Sequence, residues 1–302
     1  MADLGWLENT VACSVSIHAW GNSKGVKAAD VSQFSGELAQ QAAKKRVSMT
    51  KRLLECQEYQ AIKSRDGHAG QWFAAHSVPS LFRNGVYAVP LAIMNSWTAY
   101  LAEYQQERIT LVAAFYDAYL SARWAAQDEL GPLYRAEDYP DAGAVADKFF
   151  IEVRYLELGV PGKLALIAPE AFVKAQAELL ATVEQGKAHI ESILCSEAVE
   201  LVSNLRNVLQ GFDDGTAKKF YDSHIQKIVD WSSLFLDARN VTGFDGLAQV
   251  AEQIKAVALG CDKDALKKFS FIRAEVKQEL DGALVTLKGL MEARPARLIE
   301  LD

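Results

Sequence analysis

The stretch that decides the fold of this protein is residues 91–127, LAIMNSWTAYLAEYQQERITLVAAFYDAYLSARWAAQ. Apolar side chains recur in it at alternating steps of three and four residues, which is the period of one face of an α-helix. The stripe consists of Met94, Trp97, Leu101, Tyr104, Arg108, Leu111, Phe115, Ala118, Ala122 and Ala125. At 1.5 Å per residue this helix is about 55 Å long. We expect the stripe to face another helix in a hairpin or bundle.

The same spacing returns further along the chain and predicts that helix dominates. A long helix starts at Pro169, and shorter helical runs follow at residues 216–239, 244–259 and 262–293. Before the deciding stretch, good helix formers fill residues 37–62, and the segment 65–70, RDGHAG, is expected to break that helix.

Strand is expected only in the first third of the chain. Apolar and polar residues alternate over residues 11–19, which is the period of a half-buried strand. The Asn84–Gly85 pair predicts a tight turn, flanked by short apolar pairs that fit a small hairpin. Pro90 suits the first position of the long helix. The fold class is therefore mainly α, an elongated long-helix hairpin or bundle with a small N-terminal β element.

The break GVPG at residues 159–162 is the preferred boundary between two regions. Residues 1–160 form an N-terminal α+β region that holds the small β element and the long helix. Residues 161–302 form a C-terminal helical bundle region. Residues 144–158 fit either a short helix or a helix followed by a strand.

Composition excludes several classes of protein. The chain has 302 residues, half of them hydrophobic, and a net charge of −7 from 32 basic and 39 acidic residues. This balance argues against a protein whose main work is gripping a long nucleic-acid backbone. No stretch approaches the roughly 18 apolar residues of a membrane span. Four scattered cysteines without a CxxC pair and an acidic N-terminal segment indicate a reduced, cytoplasmic protein without membrane contact.

Sequence motifs give no positive indication of an enzyme, a cofactor or a metal. The segment GVPGK at residues 159–163 fails both signature positions of a phosphate loop. Leu164 follows the lysine where serine or threonine is required, and Glu157 stands where the first glycine is required. No HExxH or GxSxG pattern occurs. His68 and His76 could meet Asp66 as metal ligands or a general base, although exposed polar loop residues explain them as well. We predict no catalytic, cofactor-binding or metal-binding residues.

The densest basic cluster is the one candidate contact site. It consists of Lys44, Lys45, Arg46, Lys51 and Arg52. On a helix most of these cations would share one side, where they would contact nucleic acid or an acidic partner. The alternative is a solvated helix face, which the acidic chain and the absence of interleaved aromatic residues favour.

Arg108 is the one charged member of the long apolar stripe. The common arrangement for such a residue packs the aliphatic stem and lets the guanidinium reach water. We expect that arrangement for Arg108; the alternative is a buried ion pair.

The N-terminal half resembles an uncharacterised bacterial and phage family, the domain of unknown function 3150. The resemblance rests on VSIHAWG at residues 15–21, on NGVYAVP at 84–90 before the long helix, and on DYP at 138–140 with Phe149. It covers roughly residues 11–160. The family carries no established catalytic residues, but the resemblance implies a context beside MoxR-type AAA+ ATPases and von Willebrand A-type (VWA) proteins on phages and mobile elements.

These observations favour a protein that acts through its surfaces. We expect a non-enzymatic helical adaptor or scaffold of a phage or mobile element, working by protein–protein interaction with a MoxR-type ATPase and a VWA partner, with self-association through coiled-coil-like helical stripes as a further possibility. The alternatives are a nucleic-acid-associated factor that uses the basic cluster, or a structural virion component.

Overall fold

A computed structural model describes residues 5–26, 49–79, 85–157, 159–211 and 218–292 of the chain. The helices are α1 (Gly5–Glu8), α2 (Gln57–Ala75), α3 (Met94–Leu130), α4 (Ala142–Val145), α5 (Gly162–Ile167), α6 (Pro169–Gln210), α7 (Asp222–Leu234), α8 (Asp245–Gly260), α9 (Lys263–Lys268) and α10 (Ser270–Glu292). The strands are β1 (Thr10–His18), β2 (Ser23–Gly25), β3 (Thr50–Arg52), β4 (Val86–Pro90) and β5 (Phe150–Leu156). Short 3₁₀ turns cover Leu91–Ile93, Gly131–Leu133, Ala136–Asp138 and Ala146–Lys148, and a π-helical turn covers Phe235–Arg239. The mainly α fold with a small β element is thus confirmed.

The strands form two small sheets. In the larger sheet β1 lies between β4 and β5, and β1 pairs with β4 from Thr10–Pro90 to Ser14–Val86. In the smaller sheet β2 pairs with β3. The predicted strand at residues 11–19 is confirmed, whereas the expectation that strand stays in the first third of the chain is wrong, because β5 lies at its middle.

The chain folds into two compact units, and neither is a continuous half of the sequence. The first, here called the bundle unit, comprises residues 1–14, 73–97 and 154–302. The second, here called the aromatic unit, comprises residues 15–72 and 98–153.

The core of the bundle unit is aliphatic and helical. α6 packs against α10 and α7, and α8 packs against α7 and α10. Buried side chains recur along α6 at three and four residues, as in Val183, Gly186, Ile190 and Leu194. The long helix predicted from Pro169 is confirmed, and it continues through residues 198–209 without a break. The three later helical runs are also confirmed, the last of them interrupted at Phe269 between α9 and α10.

The core of the aromatic unit contains three tyrosines whose hydroxyl groups are each hydrogen-bonded. The hydroxyl groups of Tyr59, Tyr119 and Tyr139 donate to the backbone carbonyls of Trp20, Pro140 and Leu53 over 2.7–2.8 Å. Burial of a phenol is favourable only when its hydroxyl is bonded in this way. These bonds join segments far apart in the sequence and thereby fix the unit.

Helix α3 forms as its periodicity predicts. Its 37 residues end at the Gly131–Pro132 turn. Leu101, Tyr104, Arg108 and Phe115 of the predicted stripe are buried; Tyr104 and Arg108 bond to Asp66 of α2, and Phe115 belongs to the core of the aromatic unit. Pro90 is the last residue of β4 instead of the first of the helix; a 3₁₀ turn at Leu91–Ile93 connects the two.

Two local helix predictions are wrong. Residues 50–52 form β3 where a helix was expected, because they pair with β2; residues 37–48 of that expected helix lie outside the described residues. The expected break at residues 65–70 does not occur, since α2 runs through it to Ala75. Buried Asp66 and Ala69 hold this part of α2 against the interior, which offsets the low helix propensity of Gly67 and Gly70.

Around the predicted hairpin, Gly85 adopts a φ of 87°, as a tight turn requires, and an isolated bridge joins Val78 to Ala88. Asn84 and the apolar pair at 81–82 lie outside the described residues. No helix among the described residues is long and apolar enough to cross a lipid bilayer.

Candidate functional site

The candidate site lies in the aromatic unit, where α2 and α3 bring a carboxylate, a guanidinium and a phenol together. Asp66 comes from α2, whereas Tyr104 and Arg108 are four residues apart on α3 and so share one helical face. The Arg108 Nε donates to Asp66 Oδ1 over 2.8 Å, and its Nη2 donates to Asp66 Oδ2 over 3.3 Å. The Arg108 Nη2 also donates to the His18 carbonyl over 2.7 Å.

This cluster is buried, and the charges of Arg108 and Asp66 neutralise each other. The side chains of Arg108 and Asp66 are 4% and 7% exposed. The Tyr104 hydroxyl donates to Asp66 Oδ1 over 2.7 Å, and burial, followed by the adjacent carboxylate, raises the pKa of Tyr104 far above its usual range. The expectation that the Arg108 head reaches water is therefore wrong; the alternative, a buried ion pair, is correct. Its cause is the carboxylate on α2, which the stripe on α3 does not reveal.

A pocket of about 340 Å³ opens beside the cluster. Its described lining consists of Gln105, Arg108, Ile109, Val112, Phe149, Phe150 and Ile151. Phe150 is half exposed and stacks on the His18 ring, with 4.1 Å between the ring centroids. The Arg108 guanidinium also lies over the Phe149 ring, at 5.8 Å from its centroid. The pocket is thus mostly apolar, with one guanidinium edge at its wall.

The Arg108 Nη1 is the nitrogen of this guanidinium that is left to interact with a ligand. Nε and Nη2 are used by Asp66 and His18, and among the described residues no acceptor is bonded to Nη1. Nη1 is not among the fully buried polar atoms that lack a partner, so this nitrogen keeps some contact with solvent. A donor in an apolar pocket orients a ligand by donating to a carbonyl or carboxylate oxygen of that ligand.

Beside the pocket, the outward face of α3 carries large apolar side chains in water. Ile109, Tyr116, Leu120 and Trp124 are 62%, 44%, 46% and 67% exposed. Their spacing places them on one side of the helix, about 120° around the axis from the buried residues, at about 100° per residue. Ile109 belongs to both features, so the pocket and this face form one continuous apolar surface.

As far as the structure describes it, this surface is mainly apolar, and Arg108 is its charged member. The described lining of the pocket contains no nucleophile and no group that acts as a general base near neutral pH. Among the described residues, no three His, Cys, Asp or Glu side chains are arranged to hold a metal ion. Of the residues considered for such a role, Asp66 is bound to Arg108 and Tyr104, and His68 is exposed on α2.

The structure places the predicted basic cluster only in part. Lys44, Lys45 and Arg46 lie outside the described residues. Lys51 is buried on β3, where its Nζ lies 2.7 Å from Asp138 Oδ2 and donates to the Leu133 carbonyl. Arg52 is exposed and pairs with Glu55 at 2.7 Å. The expectation that Lys51 and Arg52 share a helix face is wrong, because both lie in a strand.

Sequence reasoning missed the pocket residues Phe150 and Ile151. Nothing in residues 144–158 marks them, because the pocket exists only where β5 lies beside α3. Comparison with known proteins adds nothing to the site: no family model, no curated protein and no solved structure matches this chain.

Proposed function

We propose that this protein is a non-enzymatic adaptor or scaffold that binds other proteins through the apolar surface of its aromatic unit. The observation that carries the proposal is the continuous exposed surface made by the Arg108 pocket and the outward face of α3. Leaving large apolar side chains in water is unfavourable, and contiguous exposed patches of this kind mark interaction sites.

The pocket suits one anchoring side chain of a partner. Phe150 and Ile109 would flank an aromatic or aliphatic side chain at the mouth, and buried apolar anchors of this kind dominate the energy of protein interfaces. The Arg108 Nη1 would donate to a partner's carbonyl or carboxylate oxygen. Because Asp66 already balances the charge of Arg108, we expect affinity to come from apolar contact and to depend weakly on salt.

The partners we propose come from the family resemblance of residues 11–160: a MoxR-type AAA+ ATPase and a VWA-type protein encoded by a phage or mobile element. The adaptor would connect such a ring ATPase to its client in the cytoplasm. This context is an analogy and supports the identity of the partners only, whereas the pocket supports binding as such.

The nucleic-acid alternative receives no support from the described part of the basic cluster. Lys51 is neutralised by Asp138 in the interior, and Arg52 is paired with Glu55, so neither presents a free cation to a phosphate backbone. The basic cluster does not bear on the second alternative, a structural virion component. The test of that alternative is whether purified particles contain the protein at fixed stoichiometry.

Affinity purification of the tagged protein from its native host tests the proposal. We expect an AAA+ ATPase or a VWA protein to co-purify, and Phe150→Asp to abolish that co-purification because a carboxylate then lies at the pocket mouth. The matched control is Val285→Asp, which alters an apolar residue on α10 that is 73% exposed. Recovery of neither partner, or equal recovery with Phe150→Asp and wild type, would contradict the proposal.

A further inference from the structure

The outward face of α3 has a pattern that the pocket does not explain. Eight exposed residues follow one another at steps of four and three and lie within an arc of about 80°, at about 100° per residue. They are Ala102, Gln106, Ile109, Ala113, Tyr116, Leu120, Trp124 and Gln127. None of them is charged, although the acidic residues Glu103, Asp117 and Asp128 lie along one side of this arc. We call this face the outer stripe.

The steps of the outer stripe are those of a coiled-coil seam. Gln106, Ala113, Leu120 and Gln127 recur at every seventh residue, and a second series begins at Ala102 and continues with Ile109 and Tyr116. Two such series, offset by three and four residues, form the seam through which one helix packs against another. The face of α3 that packs inside the aromatic unit is a different one, because Leu101, Tyr104, Arg108 and Phe115 are buried there.

We propose that the outer stripe binds the outer stripe of a second copy of this chain, with the two α3 helices antiparallel. In this arrangement the two-fold axis passes beside residues 114 and 115. Ile109 then lies opposite Leu120 of the second copy, and Ala113 lies opposite Tyr116. Ala102 lies opposite Gln127 by the same symmetry.

The sequence of sizes in the stripe supports an antiparallel second copy. A two-fold interface must be complementary to itself, because the same patch is used on both sides. The antiparallel register places small Ala113 against large Tyr116 and pairs the two aliphatic side chains, so that the layers fill evenly. A parallel pair would instead place Ala113 against Ala113 and leave a gap between bulky layers on either side. The absence of charge along the stripe removes the repulsion that self-association of an acidic chain would otherwise meet.

The dimensions of the outer stripe indicate how tightly the two copies should bind. From residue 102 to residue 127 it is about 37 Å long and about 10 Å wide, so one copy buries on the order of 400 Å² of projected surface, and more with side-chain relief. The total for two copies, about 800 Å², is below that of stable specific interfaces and falls in the range of weak, transient ones. We therefore expect a dimer with a dissociation constant in the micromolar range. Of the described pocket lining, Ile109 lies within the stripe, whereas Gln105 and Val112 lie beside it.

Sedimentation velocity of the full chain over a range of concentrations tests the interface. We expect a reversible shift from monomer to dimer, and we expect Leu120→Glu to weaken dimerisation at least about tenfold, since it places a carboxylate against Ile109 of the second copy. Leu120 is exposed, so circular dichroism should show an unchanged fold. Val285→Glu on α10 is the control and should dimerise like the wild type.

Mixing two variants tests the antiparallel register. Ile109→Lys and Leu120→Glu should each be monomeric alone, whereas a mixture should form a heterodimer in which lysine meets glutamate and the second Ile109–Leu120 contact is intact. A wild-type chain that stays monomeric up to hundreds of micromolar would overturn the proposal. So would failure of the mixture to dimerise, or disruption by the control. Co-purification of the ATPase or VWA partner reports on the pocket separately, because Phe150→Asp leaves the outer stripe intact.

Discussion

Arg108 on α3 donates to Asp66 on α2 through a 2.8 Å bond between Nε and Oδ1, although the two residues are 42 positions apart and lie in the interior of the aromatic unit. Taking both charges out of water costs free energy that the ion pair offsets only when every other donor and acceptor is also used. Here the Tyr104 hydroxyl and the His18 carbonyl take up further hydrogen bonds of the pair, and only the Arg108 Nη1 has no acceptor among the described residues. The pair therefore fixes how α2 and α3 align, and its Arg108 also lines the pocket.

Removing one charge of this pair should strongly destabilise the aromatic unit. We expect Asp66→Ala to lower the free energy of unfolding by about 3–5 kcal/mol, because it leaves the Arg108 guanidinium buried without a counter-charge. Urea unfolding with hydrogen exchange read by mass spectrometry measures the loss and locates it. The double variant Asp66→Leu with Arg108→Met is the control, and it should recover most of the stability. A loss below about 1 kcal/mol for Asp66→Ala would show that the pair does not organise the unit.

The bundle unit contains a second buried arginine, and its pair should be weaker. Arg239 donates from Nη1 and Nη2 to the two Glu197 oxygens over 2.7 and 3.0 Å, and from Nε to the Ser77 carbonyl. Trp231 donates to the same carboxylate. Glu197 is 34% exposed, so water screens the interaction. We expect Glu197→Gln to cost about 1–2 kcal/mol, less than Asp66→Ala in the same assay. A larger loss for Glu197→Gln would contradict this order.

Alkaline pH should destabilise the aromatic unit through its buried phenols. Burial raises the pKa of Tyr139 to about 12, against an ordinary value of about 10 in the unfolded chain. A raised pKa in the folded state contributes stability that is fully present below pH 10 and is lost as the pH rises from about 10 to about 12. Urea unfolding across this range, with phenolate absorbance as the probe, should show the decline. In Tyr139→Phe the decline should be smaller; an identical slope in both proteins would refute the assignment.

Cys13 should resist thiol reagents in the native protein. The side chain lies in β1 with 0% exposure, and burial raises the pKa of its thiol to about 11. The thiolate is the reactive form, so both access and ionisation oppose the reaction. Cys261, which is only partly buried, should be alkylated first, and Cys13 only in urea. Peptide mass spectrometry after timed alkylation separates the two, and equal rates would contradict the burial of Cys13.

The sequence predicted helices well where apolar residues keep a constant period over many turns. α3 and α6 are examples, since their buried residues recur mostly at steps of three and four over about seven turns or more. Short segments were predicted less well. Thr50–Arg52 pairs with Ser23–Gly25 in a strand, and α2 continues through Gly67 and Gly70, because contacts made far along the chain outweigh propensities of less than about 1 kcal/mol per residue.

The candidate site was less accessible to sequence reasoning than the helices that carry it. Arg108 stood out as the one charge in an apolar stripe, and its ion pair was one of two open alternatives. The choice between them depended on Asp66, which lies 42 positions before Arg108. No pattern in the sequence near either residue indicates that the two side chains meet. Phe150 and Ile151 became lining residues only through the placement of β5.

By itself, the sequence determined that long helices dominate this protein, because helix periodicity is a local property that each turn repeats. The tertiary structure alone decided that the chain folds into two discontinuous units, that Asp66 neutralises Arg108, and that α3 buries one face while its outer stripe stays in water. These features arise from contacts between residues tens of positions apart. The free energy of such contacts depends on distance and burial in the folded chain, and the periodicity of the sequence does not specify either quantity.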